Sequence, residues 1–114
     1  MKTLSVYEFA DLCDTGYFKD AVFGFRADEQ DTMSQPMQYG FGFTFKRISV
    51  ARWFRQITLF NGNEHLTLYF VDRVRLSVVT QTASEKIVRL EIISASWSDP
   101  KKDFKHTLSA VIHT

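Results

Sequence analysis

From Ala21 onward the apolar residues of this chain recur at every second position, and no other feature constrains its fold as strongly. A two-residue period places alternate side chains on opposite faces of an extended strand, so one face is buried while the other stays wet. Ala21, Phe23 and Phe25 share one such face, and Tyr39, Phe41, Phe43 and Phe45 share another in "QYGFGFTFKR". The runs "RWFRQITLFNGNEHLTLYF", "VRLSVVTQT", "KIVRLEIISASW" and "FKHTLSAVIHT" continue the alternation. Asn61-Gly62-Asn63 is a hairpin signal, "ASE" separates the next two runs, and Pro100 in "SDPKKD" blocks strand continuation. In the stretch 48–56, Val50, Trp53, Phe54 and Ile57 fit helical spacing and Ala51, Trp53, Arg55 and Ile57 fit a strand face only imperfectly, but the short distance to the hairpin favours a strand beginning near Arg52.

One segment breaks the period. In "LSVYEFADLCDTG", Ser5 and Glu8 have the spacing of a capping box, Leu4 and Phe9 that of a hydrophobic staple, and Gly16 supplies a left-handed stop. The spacing predicts a helix from about Val6 to Asp14, with Val6, Phe9, Ala10 and Cys13 on its buried stripe. The expected fold is therefore mainly β: a curled antiparallel sheet or small barrel of six or seven strands with one N-terminal helix. At 114 residues, with no low-complexity tract or linker, residues 1–114 are expected to form a single domain.

Cys13 is the only cysteine and has no intramolecular disulfide partner. Glu8, Asp11 and Asp14 interrupt the apolar core that a signal peptide needs, and no run reaches the roughly 18 apolar residues of a membrane span. A cytoplasmic protein without membrane contact is expected. The formal net charge of +1 argues against a chain built to neutralise phosphate. Residues 1–38 nevertheless carry three basic against seven acidic side chains, and residues 39–89 eight against three. Such a division fits either internal complementarity or a surface with two poles.

Gly40-Phe41-Gly42-Phe43 resembles the centre of the RNA-recognition-motif signature, whose exposed rings stack on bases. The neighbours depart from it: Tyr39 replaces the basic residue, Lys46 stands where the final aromatic belongs, and no strand-helix-strand segment precedes. Core packing explains the rings better, with Gly24, Gly40 and Gly42 permitting a strongly curled strand, and nucleic acid is not the expected ligand. His65, His106 and His113 lack metal-ligand spacing and read as exposed strand residues, and Asp28, Glu29 and Asp31 lack the features of a calcium loop. Neither a nucleophile elbow nor a phosphate-cradling loop is present, so no catalytic residue, metal or cofactor is assigned.

Arg52, Trp53, Arg55, Arg73, Arg75 and Arg89 fall on consecutive strands and are the candidate partner-binding residues of a basic sheet face. The leading expectation is a non-enzymatic module that binds another protein, comparable in size alone to adaptor or immunity proteins. The alternative is an apolar-ligand carrier or enzyme with a pocket lined by Phe23, Phe25, Phe41, Phe43 and Phe45. Asp72 would enter that pocket if the alternation of Leu66, Leu68 and Phe70 ran on unbroken, and a bulge at "VDR" would turn it out. A homodimer through unpaired edges is compatible with either.

Overall fold

A computed structural model describes residues 1–25, 44–95 and 103–113. Phe41 and Phe43, the side chain of Phe25, the loop expected before Tyr39 and the turn at Pro100 lie outside the described residues. The chain opens with β1 (Lys2–Ser5) and passes directly into α1 (Val6–Asp14), the predicted helix. Both halves of the capping box form: the Glu8 amide donates to Ser5 Oγ at 3.1 Å and the Ser5 amide to Glu8 Oε1 at 2.9 Å. Gly16 follows the C-cap Thr15 with φ +83°, a conformation in which its missing Cβ removes a clash. Val6, Phe9 and Ala10 are buried, as is Leu4 on the other side of the cap.

Among the described residues eight further strands follow: β2 (Val22–Phe25), β3 (Thr44–Phe45), β4 (Arg47–Ala51), β5 (Gln56–Asn61), β6 (Glu64–Leu68), β7 (Val71–Gln81), β8 (Glu85–Ala95) and β9 (Asp103–His113). They form two antiparallel sheets, one of six strands ordered β1-β7-β8-β9-β2-β3 and one of three ordered β4-β5-β6. The fold is mainly β and antiparallel as expected, but among the described residues the larger sheet is open rather than a barrel, with β1 and β3 at its two edges. Among the described residues the strand number exceeds six or seven because β1 precedes the predicted helix and because β4 occupies 47–51, ahead of the strand expected to begin near Arg52. Lys46 separates β3 from β4, and its amide donates to the Phe60 carbonyl at 2.8 Å as the chain passes from the larger sheet to the smaller.

Alternation fixes which face is buried. The rows Leu4–Val74–Ile92 and Val88–Ala110–Phe23–Phe45 face inward, where they meet Ile57, Leu59, Leu66 and Leu68 of the smaller sheet and Val6, Phe9 and Phe18 of the helical segment in one core. His106 continues the first of these rows and is buried, contrary to the exposed position expected of it. Gly62 and Asn63 close the β5–β6 hairpin, and Gly62 alone has a positive φ, the arrangement of a type II′ turn. Gly24 has no positive φ, and a Cβ there would meet only Thr44 Cγ2 at 4.0 Å, so no close approach explains that glycine.

Candidate binding surface

The segment 52–55 is the clearest departure from the sequence expectation. Ala51 pairs with Gln56, so Arg52, Trp53, Phe54 and Arg55 form a four-residue hairpin loop rather than the start of a strand. Arg52–Phe54 makes one 3₁₀ turn, closed by the Arg55 amide donating to the Arg52 carbonyl at 3.2 Å, and Arg55 reverses the chain with φ 49°. With its backbone turned this way, the loop presents Trp53 and Phe54 outward, at 95 % and 70 % exposure. Large aromatics bury 150–250 Å² when covered, so two adjacent rings left in water are a feature that folding alone does not account for.

Two tethers hold this loop. Arg52 reaches back to α1, where its guanidinium donates to Asp11 Oδ1 at 2.9 Å and also to Asp14 Oδ2. The hydrogen bonds that Arg52 donates to Asp14 and Asp11 raise its pKa above the ordinary arginine value, so the group stays a cation. The second tether is the Arg55 carbonyl, which accepts from the Val71 amide at 2.8 Å. That bond sets the loop beside the β6–β7 connection, whose Tyr69 and Phe70 are also exposed. Phe70 was expected to point inward with Leu66 and Leu68. Its φ of 55° instead turns the ring outward, while its carbonyl accepts from the Ala95 amide at 3.0 Å. Two loops thus bring four exposed aromatics to one end of the molecule. Their only trace in the sequence is the pairing of adjacent rings, "WF" and "YF", which strict alternation does not produce.

The remaining candidate arginines sit elsewhere. Arg75 and Arg89 lie on the outer face of β7 and β8, where with Lys105 of β9 they surround Glu91, each at 3.8 Å. Three cations therefore share one carboxylate, whose side chain is only 14 % exposed. Arg73 pairs with its neighbour Asp72 at 2.8 Å. The six partner-binding candidates are accordingly divided: Arg52, Trp53 and Arg55 on the loop, Arg73, Arg75 and Arg89 on the sheet.

Of the pocket candidates, the described side chains are those of Phe23, Phe45 and Asp72. Phe23 and Phe45 are paired across β2 and β3 and wholly buried, with Phe18 against Phe23 at 5.6 Å between ring centres. Asp72 does not join them: a register shift between Val71 and Arg73 turns it to solvent, as a bulge at that point would. An open groove of about 450 Å³ does exist, but it runs between α1 and the β1–β7 edge and is lined by Leu4, Leu12, Tyr17 and Leu76. Among the described residues no cluster of His, Cys, Asp and Glu is placed to hold a metal, and no helix is long and apolar enough to cross a membrane. Burial, with a smaller contribution from Asp14, pushes the Cys13 thiol up to about 12, which removes its nucleophilic form at neutral pH. Compared with known proteins, the chain matches no family model, no curated protein and no solved structure.

Proposed function

We propose that the protein is a non-enzymatic recognition module that binds another protein through its aromatic end, Trp53 and Phe54 on one loop and Tyr69 and Phe70 on the next. The observation that carries this reading is the exposure of Trp53 and Phe54 on a loop tethered at both Arg52 and Arg55. A held loop loses little conformational freedom on binding, and Trp, Tyr and Arg are the residues that dominate interface energetics. Arg55 makes no ion pair among the described residues and lies beside these rings, so it is the cation available to an acidic group on the partner. The basic sheet face is the weaker candidate surface, since Arg75 and Arg89 already converge on Glu91.

The experiment is site-specific photo-crosslinking in the native host, with the reactive side chain at position 53 or, as control, at position 63 in the opposite turn. The expected result is a discrete protein adduct from position 53 alone. Alanine at both Trp53 and Phe54 should then weaken binding of the identified partner by at least about tenfold. Unchanged affinity in that double variant overturns the reading.

A further inference from the structure

A second cleft, of about 370 Å³, opens between the turn that follows α1 and the start of β4. Lys19, Asp20, Lys46 and Arg47 are its exposed residues, and the buried Phe18 and half-buried Ile48 give it an apolar lining. Three cations therefore face one acid, whereas the groove along α1 and β7 sets Lys2 against Glu8 and Asp11. The positive charge of this cleft is also uncommitted. Arg52, Arg73, Arg75, Arg89 and Lys105 each lie within 3.8 Å of a carboxylate. Lys19, Lys46 and Arg47 make no ion pair among the described residues, with Asp20 or with any other acid. The backbone that carries them is nonetheless held: the Lys19 amide donates to the Gly16 carbonyl at 3.0 Å, and the Lys46 amide to the Phe60 carbonyl at 2.8 Å. Arg47 is fixed as well, its guanidinium lying over the Phe60 ring at 4.0 Å, so it adds positive field at the lip while the two lysines keep their donors for a ligand. The carbonyls that end α1 oppose an anion only weakly, since those of Asp11, Leu12 and Cys13 accept from the Thr15 and Gly16 amides.

We propose that this cleft binds a small organic phosphate, with the phosphoryl oxygens between the Lys19 and Lys46 ammonium groups and the apolar body of the ligand against Phe18 and Ile48. Three cations against one acid leave an excess of two positive charges, and a phosphate monoester, with about −1.5 to −2 at neutral pH, neutralises them where a carboxylate would offset only half. Lysine suits the task, because its ammonium is a point charge on a flexible stem that closes on a tetrahedral group without a planar match. The volume is that of a small-molecule site rather than of a bare ion. A long polyanion is disfavoured, since Asp11 and Asp14 leave α1 with an excess of negative charge even after pairing with Arg52.

Titration of the isotope-labelled full chain with inorganic phosphate and with phenyl phosphate, followed by amide NMR at constant ionic strength, tests this. The expected result is saturable shifts at residues 16–20 and 46–48, with phenyl phosphate binding about tenfold more tightly than inorganic phosphate. Lys19→Gln and Lys46→Gln should each raise the dissociation constant about fivefold. Asp20→Asn removes a repelling charge and keeps a side chain suited to φ 59°, so it should lower that constant about twofold. All three side chains are exposed, and thermal unfolding of each variant confirms that the fold is intact. Shifts that do not saturate, or that chloride reproduces, overturn the proposal. So do phenyl phosphate binding no tighter than inorganic phosphate, or undiminished affinity in the two lysine variants. Loss of phosphate binding in the Trp53, Phe54 double alanine variant would place the anion at the aromatic end and overturn it as well.

Discussion

Arg52 and Asp11, 41 residues apart, are joined at 2.9 Å, and this contact with its Asp14 counterpart fixes how the hairpin loop stands on the helix. The acidic opening of the chain and its basic middle meet here, so at this point the charge division is internal complementarity. A planar guanidinium reaches two carboxylates at once, whereas an ammonium is a single point charge. Replacement of Arg52 by Ala should therefore speed amide hydrogen exchange over residues 53–57 and leave the long strands β7 to β9 unchanged. Arg52→Lys should restore protection only in part. Equal exchange in the wild type and the Ala variant would show that the tether does not hold the loop.

Phe23 tests the packing of the aromatic core. It has no exposed surface, lies against Phe18 and pairs with Phe45, so its removal leaves a cavity that rigid strands fill poorly. Phe23→Ala should cost about 3–5 kcal/mol in chemical denaturation. An apolar dye should fail to bind the wild-type protein between these rings. A cost below about 1 kcal/mol, together with tight dye binding, would favour a ligand pocket there instead.

Much of this fold was legible because it is written locally. Ser5, Glu8 and Gly16 specify both ends of α1 within twelve residues, and the period of two in β7, β8 and β9 specifies which side is buried. The aromatic end was only half legible. Arg52, Trp53 and Arg55 stood out by type, but their loop conformation depends on Asp11 and Asp14, far away in sequence. Phe70 was misread because a residue with φ 55° leaves the alternation that its neighbours Leu66 and Leu68 obey. Its turn is imposed by two strands' worth of backbone, through the Ala95 amide and the adjoining bond of Val71 to Arg55. Patterning cannot register a contact of that kind.

Cys13 gives a pH prediction with a definite sign. Burial lifts its pKa from 9.0 to about 12, so the fold favours the neutral thiol. Below pH 9 the thiol is protonated in the folded and the unfolded chain alike, and its contribution is fully present. As the pH rises toward 12 the unfolded thiol ionises first, and that contribution is lost. The stability of the wild type to denaturant should fall over this window relative to Cys13→Ala, and alkylation at pH 8 should be far slower than for an exposed cysteine. Cys13 is half-buried against the core, and rapid alkylation of the native protein at pH 8 would contradict that placement.

Arg55 separates stability from recognition. Its φ of 49° is a conformation that costs an ordinary side chain about 1 kcal/mol relative to glycine, and its guanidinium makes no ion pair among the described residues to compensate. Glycine at this position relieves the backbone and keeps the carbonyl that accepts from Val71. Arg55→Gly should therefore leave stability unchanged or raise it by about 0.5 kcal/mol, the gain being reduced by glycine's greater freedom in the unfolded chain. If the loop is a recognition element, the same variant should bind the partner more weakly, and more so at low salt, where a charge contact counts most. A residue less favourable to the fold than its replacement yet needed for binding is retained for what it touches. Arg55→Gly that is destabilising and binds normally would instead make the arginine a structural residue and confine recognition to the four rings.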